Sequence, residues 1–425
     1  MQMPNRVIAP EIQEIKNLKL PQPTVLQLDN GIPVYVTNMG TQDIVKLEVI
    51  FYAGRPFEDK QLVSRATAGM LKEGTRNYKA SQIAELTDFY GGTLSVPVSL
   101  DTSNILLFSL KKHFDKLLPV VGDMLSEPIF PEHELQLFKK RNQQRLQVDL
   151  TRNDVVAYRK VTEFIFGKDK PYGYNSEPEM YNNIGTEDLK KHFYKNFASG
   201  NCKIFLSGKI DHEIIDMVNK VLGQKIRKGA VQKPQIKTHV DRATKIKIQP
   251  PAPLQTAIRI GSRMVNKHHP DFKGLYVLNT ILGGYFGSRL MTNIREDKGY
   301  TYNIYSTIDS MFYDGCFYVG TEVGNEFANA TIEEIYKEFD ILKNDLVNEG
   351  ELSMVRNYLL GNLLTSLDGP FNVSEIIKAH SMEDIALTEF EELVQTIKTI
   401  SPDNIRELAR KYLNKNQMWE VVVGP

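Results

Sequence analysis

The alternation of apolar and polar positions sets the first expectations. Thr24–Asn38 alternates on both sides of Asn30-Gly31, the pair that two-residue turns favour, so a β-hairpin is predicted there. Val45–Gly54 is an apolar run of strand length. Leu62–Lys72 and Ser81–Tyr90 carry apolar residues at helical spacing, Gly91-Gly92 marks a turn, and strands are expected at 93–99 and 103–111. Helices follow at Lys112–Ser126 and Pro131–Thr151. Strands in runs and helices in runs give an α+β class.

The pattern then repeats. Residues 184–208 and 400–424 align without a gap at an offset of 216, each with a capping Thr186 or Ser401, an amphipathic helix, an apolar strand and a closing Gly. The helix openings Glu134-Leu-Gln-Leu-Phe-Lys and Glu351-Leu-Ser-Met-Val-Arg match at an offset of 217. A weaker match pairs Ser81–Ser99 with Ser288–Ser306 at an offset of 207. A tandem duplication is the reading: a first domain at 1–225, a linker at 226–239 without apolar period, and a second domain at 240–425. Each is expected to be a mainly antiparallel sheet packed with helices. A length of 425 residues accommodates this at about 150 residues per domain.

Composition narrows the function. Lys+Arg and Asp+Glu both number 52, which argues against nucleic acid or an anionic membrane as the main partner. No apolar run approaches the roughly 20 residues of a membrane span. The segment Met1–Pro10 lacks the apolar core of a signal peptide, so a cytoplasmic location is the expectation. Cys202 and Cys316 fall in strand-like runs and read as buried thiols. None of the eight histidines lies three or four residues from another, so no helix presents a His pair to a metal. Nucleophile elbows and phosphate loops are absent, and Gly283-Gly284-Tyr-Phe-Gly287 follows a helix rather than a strand.

Leu275–Ser306 is the most informative stretch. A helix with apolar residues at 275, 278, 281 and 282 ends at Gly283. After a Gly-rich loop, a second helix over Ser288–Asp297 stops at Gly299, and a strand starts at Tyr300. Arg295 falls in the last helical turn and Tyr302 just inside the strand. An Arg offers several donors to peptide carbonyls, and a Tyr hydroxyl can donate to a developing oxyanion. On the residues alone the plainer account is a cation at a helix C-terminus and an amphipathic strand tyrosine.

This stretch resembles the C-terminal-domain signature of the pitrilysin/insulinase metallopeptidases, Gly-Gly-x-Ser-Ser-Arg-Leu-Phe-x-x-Ile-Arg-Glu-x-x-Gly-Leu-Ala-Tyr. Gly283, Gly284, Ser288, Arg289, Leu290, Ile294, Arg295, Glu296, Gly299 and Tyr302 match in register, while Gly287, Tyr300 and Thr301 depart. The likeness extends to Gly74-Thr75 and to Pro171-Tyr-Gly-Tyr, and so over nearly the whole chain. It implies the duplicated fold of mitochondrial processing peptidase. It also implies that Arg295 and Tyr302 touch substrate, with Gly283, Gly284, Phe286 and Ser288 beside it. The family's zinc motif, His-x-x-Glu-His, precedes Met-Leu-x-x-Gly-Thr. Here Met70–Thr75 is present, but Arg65, Ala68 and Gly69 stand where the two His and the Glu belong. The resemblance therefore implies no metal in this chain and a zinc-carrying sister chain as partner in a heterodimer. An unfolded peptide is the implied substrate, and a homodimer the implied form when the sister is absent. The alternative is a non-proteolytic scaffold or peptide-binding module of the same fold. Hydrolysis by unrelated chemistry is a third, weaker reading.

Overall fold

Both repeats fold as matching sets of elements. The computed structural model describes residues 15, 17–236, 242–250 and 254–425. The first half runs β1 (Thr24–Gln27), β2 (Pro33–Asn38), β3 (Ile44–Phe51), α1 (Val63–Met70), α2 (Ala80–Phe89), β4 (Thr93–Ser95), β5 (Ser103–Leu110), α3 (Phe114–Ser126), α4 (Glu132–Asp149), α5 (Asn153–Phe166), α6 (Thr186–Asn196), β6 (Cys202–Gly208) and α7 (His212–Lys225). The second runs β7 (Lys245–Ile248), β8 (Thr256–Arg263), α8 (Phe272–Asn279), β9 (Thr301–Ser310), β10 (Gly315–Val323), α9 (Ala328–Asn344), α10 (Glu349–Thr365), α11 (Gly369–Met382), α12 (Glu389–Thr399), α13 (Pro402–Tyr412) and β11 (Trp419–Val423).

Strand order is β1-β2-β6-β3-β5-β4 in one sheet and β7-β11-β8-β10-β9 in the other. Leaving out β1, the two orders correspond strand for strand. Polarity corresponds too: β2–β6 and β7–β11 are parallel, and the remaining pairs antiparallel. The hairpin expected at Asn30-Gly31 is the β1–β2 pair, and Gly31 has a φ of +88°, where a side chain would be strained. The strand expected over 93–99 is cut to β4; Pro97, which has no N–H for a ladder, follows two residues later.

Two helices, one from each half, tie the halves together. α5, from the first half, packs on β8 and β11 of the second sheet. Its Ala157, Val161 and Ile165 join Trp419, Val421 and Val423 in one cluster, and Phe164 stacks on Trp419 at 5.4 Å. In return, α11 packs on β6 and β2 of the first sheet. The cause lies in β3 and β8, central strands buried on both faces. Val45, Leu47, Val49 and Phe51 face their own half's core, while Lys46, Glu48 and Ile50 face α11.

The boundary region is packed as well. Ile226 is buried, Ser199 N–H donates to Arg227 O at 3.0 Å, and Gly200 N–H to Gly229 O at 3.1 Å. Residues 237–239 of the expected linker lie outside the described residues, as does the Met1–Pro10 segment. Among the described residues no helix is long and apolar enough to cross a membrane.

Candidate functional site

The site begins with how the Gly-rich loop is held. α8 buries Leu275, Val277 and Leu278 and runs on into a π-helical turn, Thr280–Gly284. A second π-helical turn, Met291–Asp297, buries Met291 and Ile294. Such one-residue insertions in a helix are common at functional sites. Gly283 allows a close approach to β9: a Cβ there would lie 2.5 Å from Ser306 N and 2.6 Å from its Oγ. At the other end of the loop, Arg289 forms a bidentate pair with Glu351 of α10, both contacts 2.8 Å. The loop is thus anchored on both sides.

Ile294 is fully buried, so the next residue, Arg295, emerges at the rim. Gly299, at φ +66°, reverses the chain, and Tyr300 N–H closes on Ile294 O at 3.0 Å. Tyr300 stacks on Phe327 at 4.7 Å, which fixes the start of β9. A β-bulge follows. Thr301 pairs with Val323 and Ile304 with Thr321, so Tyr302 and Asn303 together oppose the single residue Glu322. Two threonine hydroxyls hold the bulge. Thr301 Oγ1 donates to Glu322 O at 2.6 Å, and Thr321 Oγ1 to Asn303 O at 2.9 Å. Its effect is to turn Tyr302 outward, 88% exposed.

Arg295, Tyr302 and Phe286 meet there. The Arg295 guanidinium carbon lies 4.4 Å from the Phe286 ring centroid and 5.8 Å from that of Tyr302. Its nearest carboxylate is Glu296 at 3.7 Å, beyond hydrogen-bond range. The rings hold the cation over their faces while its N–H donors stay uncommitted among the described residues. Phe286 is 63% exposed, and Gly284 is exposed beside it. Two expected members of the group do not share this surface. Ser288 is 1% exposed and Gly283 is buried, because the helical turn at 288–294 and the close contact with β9 draw both inward. In this chain both are packing positions.

The helix that replaces the zinc motif is α1. Arg65 is exposed, Ala68 fully buried and Gly69 half-buried. These residues do not suit zinc, since a guanidinium repels a cation and Ala and Gly have no donor. Nor is there room for a ligand side chain at 69, where a Cβ would sit 2.7 Å from the Phe138 ring of α4. A cleft of about 580 Å³ remains, lined by Arg65, Gly69, Phe138 and Asn142 and bordered by Val98 beyond edge strand β4. Among the described residues no group of three His, Cys, Asp or Glu side chains is placed to hold a metal. Cys202 and Cys316 are free and buried, and burial pushes both thiols well up, away from the reactive thiolate. His192 is a core histidine: burial lowers it to about 4, and its Nε2 lies 3.0 Å from Ala53 O.

A family described as the Peptidase M16 inactive domain matches residues 183–359, which include Arg295 and Tyr302. The uncharacterized zinc protease YmxG of Bacillus subtilis (strain 168) is 23% identical over 396 residues, covering 91% of this chain and 95% of that protein. A Helicobacter pylori protein described as the non-peptidase homolog YmxG is 26% identical over 326 residues, 74% of each chain. The crystal structure of a peptidase M16 inactive domain from Pseudomonas fluorescens matches with a TM-score of 0.88 at 22% identity, over 95% of this chain and 98% of that one. Residues 183–359 thus match the M16 inactive-domain family, the chain shares its fold with solved M16 structures, and Arg65, Ala68 and Gly69 offer no ligands where the family signature places its zinc motif.

Proposed function

We propose that this chain is the metal-free half of a two-chain zinc peptidase. A sister chain supplies the zinc and its activated water. This chain supplies Arg295, which holds the backbone carbonyls of an unfolded peptide, and Tyr302, whose hydroxyl donates to the oxyanion that develops at the scissile carbonyl. The reading rests on one observation. Arg295 and Tyr302 stand side by side on the outside, the guanidinium without a hydrogen-bonded carboxylate among the described residues and the phenol turned out by a bulge. A purely architectural pair has no reason to keep both polar groups unspent. β4 and β9 each lie at one edge of their sheet, so each offers main-chain groups to an extended peptide.

The test reconstitutes this chain with a sister chain that retains His-x-x-Glu-His and follows cleavage of an unstructured peptide. No cleavage is expected from this chain alone, and chelator-sensitive cleavage from the pair. Arg295→Ala in the pair should reduce kcat/KM by about 100-fold, the order seen when a single positioning or oxyanion donor is removed. Cleavage by the lone chain refutes the proposal. Full activity of the Arg295→Ala pair transfers support to a scaffold role.

A further inference from the structure

A second site lies at the seam between the halves, where a cavity of about 860 Å³ opens. That size is ordinary for a small-molecule site. Neither Arg295 nor Tyr302 lines it. Its walls come from both repeats: Asp101, Tyr158 and Phe166 from the first, and Tyr276, Asp309 and Glu383 from the second. About half of the lining residues are aromatic or aliphatic, and the charged groups among the rest decide what fits.

Those groups are unbalanced in charge. Every lysine at the cavity already has its carboxylates: Lys267 pairs with Glu383 at 2.6 Å, Lys273 with Glu389 and Glu392, and Lys378 with Glu48 and Glu375. Asp101 and Asp309 form no close ion pair among the described residues, although the Arg55 guanidinium acts on Asp101 from further off. Asp101 accepts from the Tyr172 hydroxyl and from Phe312 N–H at 3.2 Å. Asp309 accepts from the Tyr158 hydroxyl at 3.4 Å. Glu383 Oε2 is buried without a hydrogen-bond partner among the described residues. Burial pushes Asp101 up to about 6 and Asp309 up as well, outweighing the hydrogen bonds each accepts and, at Asp101, the distant Arg55 cation.

We infer that the seam cavity binds a hydrophobic organic cation, an amine on an aromatic or aliphatic body. Its charge is met by the Asp101 and Asp309 carboxylates, and its body fills the space between the rings of α5 and α8. Aromatic faces favour such a cation in addition to the carboxylates. An anion would find every lysine committed and unpaired carboxylates facing it. Because the walls belong to both halves, an occupant also fastens the seam and stabilises the fold by mass action. This inference is independent of the peptidase role.

The probe is tryptamine, compared by calorimetry and thermal unfolding with its neutral and anionic relatives 3-methylindole and indole-3-propionate, on the full chain. Saturable binding of one tryptamine is expected, about 10-fold or more tighter than the anion, with a rise in Tm. Asp101→Asn should weaken it about 10-fold, the loss of one charge-assisted contact. Ala379→Trp provides a second variant: the residue is exposed at the cavity's border, so the change obstructs the opening without entering the core. It too should weaken binding. The inference is overturned if tryptamine does not bind saturably, if indole-3-propionate binds as tightly, or if Ala379→Trp leaves tryptamine binding unchanged.

Discussion

Glu48 offers the sharpest test of how the halves are joined. It lies in the middle of β3 with its side chain 3% exposed, and its carboxylate meets Lys378 of α11 at 3.1 Å and Lys46 at 3.4 Å. Asn104 Nδ2 donates to it at 3.1 Å. Lys46 and Lys378 also share Glu375, so the cluster has two cations and two carboxylates. At an effective dielectric of about 20, each contact at these separations is worth about 5 kcal/mol, most of it offset by desolvation. Glu48→Ala leaves two cations to one carboxylate in a buried seam, and a cost of about 3–5 kcal/mol is expected. Lys46→Met with Glu48→Leu removes one charge of each sign, leaves Lys378 with Glu375, and should cost under about 1.5 kcal/mol. The assay is equilibrium urea unfolding followed by the single tryptophan, Trp419, which stacks on Phe164 of the crossing helix α5. If the double change costs as much as Glu48→Ala, packing and not charge balance holds the seam, and the reasoning fails.

Three further outcomes are expected. Gly283→Ala should lower stability by about 1–3 kcal/mol through overpacking against Ser306, while peptide KM in the reconstituted pair stays unchanged; a raised KM with normal stability would return Gly283 to the substrate surface. Asp101 has a folded pKa of about 6, above its ordinary 3.8, so the folded state binds more protons between these values. Its contribution to stability is therefore full below 3.8 and is lost as pH rises through 6, by up to about 3 kcal/mol. Unfolding of Asp101→Asn between pH 4 and 7 should lack that loss, and an unchanged pH slope would contradict the assignment. Iodoacetamide should label neither Cys202 nor Cys316 until urea unfolds the chain, since both thiols are buried; mass spectrometry reads this directly.

The duplication was legible because offsets in sequence survive where identities do not, and each half kept its helix starts and closing glycines. Arg295 and Tyr302 stood out through their register with the family signature; the residues alone gave a helix-end cation and a strand tyrosine. Other features depend on distant contacts. A 3.6-residue period marks Val161 and Ile165 as one apolar face but does not say which sheet it covers, so the exchange of α5 and α11 was hidden. Lys46 and Glu48 sit inside an apolar strand run, and only the arrival of Glu375 and Lys378 from residues more than 300 positions away explains them. The burial of Ser288 follows from the helical turn it begins, which a motif match cannot convey. The bulge that turns Tyr302 outward rests on Thr301 and Thr321, and Thr301 is one of the positions where the chain departs from the family signature.

The most direct measurement is the steady-state rate of the reconstituted two-chain complex carrying Tyr302→Phe. That substitution removes one hydroxyl from an exposed side chain and leaves the ring beside Arg295. A donor that acts on the developing oxyanion contributes in the transition state, so kcat is expected to fall about 100-fold or more with KM nearly unchanged. A kcat equal to that of the unmodified complex would contradict the account.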